Sequence, residues 1–77
     1  MKNTPFPANL RARREYLGWT LQAASVELGV ALTTWHRWER GVSEPDFATL
    51  GRIAELLGTS PARLLREVTP ITRESTK

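Results

Sequence analysis

The densest run of hydrogen-bonding side chains in this 77-residue chain is Thr33-Thr34-Trp35-His36-Arg37-Trp38-Glu39-Arg40. If the run is helical, with Trp35 and Trp38 three apart on an inner face, then Leu32, Thr33, His36 and Arg37 share the outer face. Their chemistry suits the edges of nucleobases. A guanidinium such as that of Arg37 can donate two parallel hydrogen bonds to guanine O6 and N7, and such a pair contributes roughly 1–3 kcal/mol of discrimination. Thr33 can donate or accept, Leu32 can pack on a thymine methyl, and His36 can reach a base or a phosphate. Catalysis is not indicated. The chain has one histidine and no cysteine, and no acid, nucleophile or Gly-rich loop stands beside His36 to complete a reactive constellation. No metal site or cofactor is expected.

These side chains require a helix, and the residues around them supply one. Gly29 sits between two amphipathic runs, with Ala24 and Leu28 four apart on one side and Trp35 and Trp38 three apart on the other. That is the helical period. A glycine at such a reversal enters the left-handed backbone region without a Cβ penalty. Ala24, Leu28, Val30, Trp35 and Trp38 are expected to share one buried face, with small Ser25 where the two helices cross. Thr20 is placed to cap a helix over 21–28. The next spans 32–40, preceded by Ala31 where a capping side chain would be preferred, a weakness of about 1 kcal/mol.

The rest of the chain also reads as helix. A first helix is expected from Pro7 or Ala8 to about Leu17, ended by Gly18. Trp19, just before the cap Thr20, is suited to staple the second helix. After the loop 41–45, Asp46 can cap a fourth helix whose apolar face is Phe47, Leu50, Ile53, Ala54 and Leu57, with Gly58 ending it. Ser60 followed by Pro61 opens a short fifth helix containing Leu64 and Leu65. The expected fold is all-α, a compact five-helix bundle. Residues 1–6 are expected to be a flexible arm, 7–68 the folded domain and 69–77 a flexible tail.

Charge is unevenly placed. Residues 1–43 hold six basic groups against three acidic, whereas residues 44–77 hold five of each, so the whole net charge of +3 accompanies the central helix pair. A basic face of that kind suits a polyanionic partner. The absence of cysteine suits a reducing compartment, and the apolar runs fall well short of the roughly 20 residues of a membrane span. The expectation is a soluble, cytoplasmic protein with no membrane association.

Four short motifs, Leu28-Gly29-Val30, Glu39-Arg40-Gly41, Pro45 with Leu50, and Leu57-Gly58, together resemble the phage repressor and Cro-type helix-turn-helix family, often called Xre-like. The likeness covers about Leu10 to Leu65. It implies a lambda-repressor-like DNA-binding domain, most often a homodimeric transcriptional regulator on a pseudo-palindromic operator of double-stranded DNA, with the third helix in the major groove. It also implies an ion pair between Arg14 and Glu39, which match an arginine and a glutamate paired in the family. The family commonly places glutamine directly after the cap of the second helix; here Leu21 holds that place and Gln22 follows it.

On this reading phosphates would be met by Thr20, Leu21 and Gln22 at the amino end of the second helix, where orphan amides and the helix dipole favour anions. Thr34, Arg40, Gly41 and Ser43 would add contacts around the third helix, and Arg11 and Arg13 would add charge from the first. A two-fold interface needs a self-complementary apolar patch, for which Leu64, Leu65, Val68 and Ile71 are the candidates; they could instead complete the monomer core. Two other readings are open. One is an antitoxin-like regulator that also binds a partner protein. The other is a protein-interaction module without DNA affinity, which exposed Leu21 and Leu32 would favour.

Overall fold

The computed structural model describes residues 4–66. They form five helices, α1 (Phe6–Tyr16), α2 (Leu21–Leu28), α3 (Leu32–Arg40), α4 (Phe47–Leu56) and α5 (Pro61–Leu65), with no strand among the described residues. The expected tail 69–77 with Ile71, and Val68 at the end of the expected domain, lie outside them. No described helix is long and apolar enough to cross a membrane.

Each boundary follows local chemistry. Thr20 Oγ1 accepts from the Ala23 amide at 3.0 Å, Asp46 Oδ1 from Thr49 at 2.8 Å and Ser60 Oγ from Arg63 at 3.2 Å; each satisfies one orphan donor of a first turn. Ala31 offers no such bond to α3. Gly29 adopts φ +83° and closes α2 by donating to Ser25 O at 2.9 Å. Gly41 closes α3 with φ +76°, and a Cβ built there would meet Pro7 Cγ at 3.4 Å, so the turn also seats the start of α1. The first helix begins earlier than expected. Its Phe6 ring is 1 % exposed and belongs to the core, so residue 6 is not part of a free arm.

The core is one cluster. Trp35, Leu10, Ile53 and Leu57 are fully enclosed, and Ala24, Leu28, Leu50 and Ala54 belong to the same cluster. The two indoles of α3 lie with centroids 5.8 Å apart and planes tilted by 49°, a favourable aromatic geometry. Ser25 is buried with its hydroxyl donating to Gln22 O at 2.9 Å, so its one polar side-chain group is satisfied.

Three expectations about the core change. Phe47 shares the period of Leu50, Ile53 and Leu57 yet is 82 % exposed, because it is the first helical residue and the apolar face of α4 becomes buried only one turn later. Val30 is half-buried rather than enclosed. Leu64 is 2 % exposed inside the monomer core, so it cannot serve as a dimer surface. Leu65 is half-buried and packs against the same core.

Helix carboxyl ends are tied to distant side chains. Arg13 donates from Nε to Leu57 O at 2.9 Å and from Nη2 to Gly58 O at 3.0 Å, at the end of α4. Arg52 Nη2 donates to Leu28 O at 2.7 Å, at the end of α2. Asn9 Nδ2 donates to Leu64 O at 2.8 Å, and to Arg66 O, at the end of α5. The last carbonyls of a helix have no partner within it and carry partial negative charge, so a cation or amide donor there is favourable. Sequence spacing shows none of these contacts, which join residues 24 to 57 positions apart.

Candidate nucleic-acid interface

The exposed face of α3 is held from behind by a buried polar node. Arg14 of α1 donates from Nε to Glu39 Oε2 at 2.6 Å and from Nη2 to Glu39 Oε1 at 3.1 Å. Its Nη1 donates to Trp19 O at 2.7 Å, in the link between α1 and α2. The bonds to Glu39 raise the guanidinium pKa further above its ordinary range, against the opposing effect of burial. The same carboxylate accepts a third bond at 2.7 Å from Trp35 Nε1. The buried indole N–H thus finds a partner four residues along its own helix, the spacing that places side chains one above the other. That contact was readable in the sequence from Trp35 and Glu39 alone, and the expectation of a simple Arg14–Glu39 pair missed it.

Outward from this node stand Leu32, Thr33, His36 and Arg37, all exposed on one stripe of α3, with Leu32 at 43 %. Thr34, in the first turn, is half-buried. Among the described residues the guanidiniums of Arg37 and Arg40 make no hydrogen bond or ion pair, which leaves their donors to solvent or a ligand.

Not every cation expected at the interface is there. Arg13 is spent on the carboxyl end of α4 and lies 5.5 Å from the Tyr16 ring centroid, so its charge serves the fold. Arg11 is exposed and pairs with Glu15 at 3.1 Å, one turn along α1. At the amino end of α2, Thr20 and Gln22 are exposed, but the Leu21 side chain packs partly against the core. Only the Leu21 amide is then available to an anion, and its side chain gives no support to an apolar docking face. Gly41 is exposed and Ser43 half-buried at the end of α3.

Arg11 and Arg14 of α1, Leu21 of α2, and His36, Glu39 and Arg40 of α3 together line one open depression where the three helices meet. The structure thus gathers part of the expected phosphate set around a single hollow beside the exposed stripe.

Comparison with known proteins matches the helix-turn-helix domain family over residues 7–67. No curated protein matches the chain. Among solved structures, the DNA-binding domain of the P22 C2 repressor is 30 % identical with a TM-score of 0.77, the match covering 86 % of this chain and 87 % of that one. Hydroxypropylphosphonic acid epoxidase from S. wedmorenis is 38 % identical with a TM-score of 0.75, over 80 % of this chain but 33 % of the epoxidase. A transcriptional regulator of a helix-turn-helix family from Vibrio cholerae is 31 % identical with a TM-score of 0.71, over 79 % of this chain and 34 % of that one. The chain therefore spans about a third of the length of the epoxidase and of the Vibrio regulator.

Proposed function

The chain belongs to the helix-turn-helix domain family, and from that premise we propose that it is a sequence-specific double-stranded DNA-binding regulator that reads the major groove with α3. The observation that carries this reading is the exposed stripe Leu32, Thr33, His36 and Arg37, backed by two buried indoles and the Arg14–Glu39 bridge. A recognition helix must present base-contacting groups at a fixed angle, and a face anchored by a three-bond carboxylate node meets that need. Arg37 reads a guanine, Thr33 and Leu32 add softer preferences, and Arg40, Gly41, Ser43, Thr34, Thr20 and Gln22 meet phosphates, the last two with the Leu21 amide.

The proposed active form is a homodimeric repressor acting in the cytoplasm. Two copies of α3 would lie roughly 34 Å apart on successive major-groove turns, which makes the operator pseudo-palindromic. With Leu64 committed to the core, the dimer surface must draw on other apolar groups.

Selection of bound sequences from a random duplex pool, followed by gel shift at rising salt, tests the proposal. A DNA reader recovers a symmetric site and loses affinity steeply as salt increases. A flat salt response, or a pool with no enriched sequence, contradicts it.

A second reading is a protein-interaction module. Its support is the likeness to an epoxidase chain, in which this fold is part of an enzyme, together with the exposure of Val42 at 59 % in the α3–α4 loop and of Phe47 at 82 % at the start of α4. The same gel shift separates the two readings, since such a module shifts no duplex.

A further inference from the structure

The turn between α2 and α3 is open on its outer side. A Cβ built at Gly29 meets nothing within 4 Å, and Val30 after it is half-buried. The turn closes on itself, since Gly29 and Val30 donate to Ser25 O at 2.9 and 3.0 Å, and Gly29 also to Val26 O at 3.1 Å. None of those bonds reaches another helix. Leu28 O, a last-turn carbonyl of α2, lies outside that closure and accepts instead from Arg52 Nη2 of α4 at 2.7 Å. A guanidinium there meets the negative end of the helix dipole. The helix pair is thus fastened to its surroundings from two sides. Arg14 and Glu39 fix α3 to α1, and Arg52 fixes the carboxyl end of α2 to α4.

We propose that Arg52 is a positioning residue for duplex recognition: its bond to Leu28 O sets the angle between α2 and α3, so that the opening amides of α2 and the reading stripe of α3 fit one duplex together. The inference rests on the DNA-binding reading for its consequence and on the geometry of α2 alone for its cause. Ala24, in the middle of α2, is wholly buried and acts as the pivot. Thr20 lies four residues from it, about 6 Å along the axis, so a tilt of about 10° displaces that end by about 1 Å. Hydrogen bonds tolerate less, since N–H donors meet oxygen at about 2.7–3.2 Å. Phosphate contacts set register, and register decides whether α3 meets its bases. Loss of the tie therefore falls on the cognate site more than on a scrambled duplex.

Two arms test this in the full chain. Arg52→Met keeps most of the stem and removes every donor, Arg52→Lys restores one cationic donor, and Ser60→Ala removes a cap outside the helix pair. Without DNA, amide residual dipolar couplings report the angle between α2 and α3, and the carbonyl carbon shift of Leu28 reports its hydrogen bond. Expected in Arg52→Met are an upfield carbonyl shift and a measurable rotation of α2, both reversed in Arg52→Lys and absent in Ser60→Ala. An unchanged angle in Arg52→Met overturns the proposal.

In the second arm, the site recovered by selection and a scrambled duplex of equal length are titrated at one salt concentration. Arg52→Met is expected to lose about tenfold on the selected site, the effect of losing one hydrogen bond to a charged group, and much less on the scrambled duplex. Arg52→Lys should recover most of the loss. Equal losses on both duplexes would mark Arg52 as a direct phosphate contact and overturn the proposal, as would a loss in Ser60→Ala that matches Arg52→Met. A rotated α2 in a protein whose native chain shifts no duplex would leave Arg52 setting the helix angle and remove the DNA reading.

Discussion

Arg14 on α1 and Glu39 on α3 close a two-bond bridge, at 2.6 and 3.1 Å, with side chains only 9 % and 4 % exposed. The bridge ties the helix that carries the candidate reading face to the helix that packs behind it. Because the carboxylate is nearly excluded from water, losing either partner leaves a charge that solvent cannot fully compensate.

Arg14→Met or Glu39→Met alone is therefore expected to lower stability by about 3 kcal/mol, while the double variant recovers only the part of that loss owed to a stranded charge, because Trp35 Nε1 and Trp19 O lose their partners as well. Urea unfolding of the three variants checks this. Additive losses would show that the two residues act independently.

Arg37 and Arg40 differ in position on α3, and their loss should differ in kind. Arg37→Ala is expected to relax preference at one base pair by roughly 1–3 kcal/mol, whereas Arg40→Ala should weaken all duplexes alike and reduce the salt slope by about one. Binding to a panel of single-base operator variants separates them. Identical profiles would remove the assignment of roles.

Arg13 supports α4 through Leu57 O and Gly58 O. Arg13→Ala should cost about 1.5–3 kcal/mol of stability, the range for hydrogen bonds that involve a charged group, and should leave the salt slope of DNA binding as it is. A shallower slope would return Arg13 to the phosphate contacts.

Asp46 caps α4, and its hydrogen bonds to Thr49, side chain first and then backbone, hold the carboxyl below its ordinary pKa, with Arg52 assisting. A carboxyl with a lowered folded pKa stabilises most above the unfolded value, about 3.9 for aspartate, and that stabilisation disappears as pH falls through the folded pKa. The melting difference between the native chain and Asp46→Ala should hold at neutral pH and narrow in acid. A difference that stays constant from neutral pH to well below the aspartate range would show that the charge has no part in the cap.

The local elements were legible because their causes are local. Gly29 and Gly41 at φ near +80°, the caps Thr20, Asp46 and Ser60, and the spacing of Trp35 and Trp38 each act within a few residues of chain. The helix order and the bounds of α2 and α3 follow from them. Periodicity misled at Phe47, because a stripe of apolar residues states which way a side chain faces and not whether a neighbour lies opposite it.

Long-range contacts decided the rest. Arg11, Arg13 and Arg14 lie within four residues of one another on α1; the family resemblance singles out Arg14 for Glu39, and nothing in the sequence separates the roles of Arg11 and Arg13. Packing gives Arg13 to the end of α4, Arg14 to Glu39, and Arg11 to the hollow beside His36. In the same way it draws Leu64 into the core. The sequence by itself determined which segments coil and which faces are apolar, because hydrogen bonding and side-chain spacing within one helix are short-ranged. Only the tertiary structure decided which charges are left for a ligand, because that depends on which carbonyls and carboxylates the other helices bring within about 3 Å.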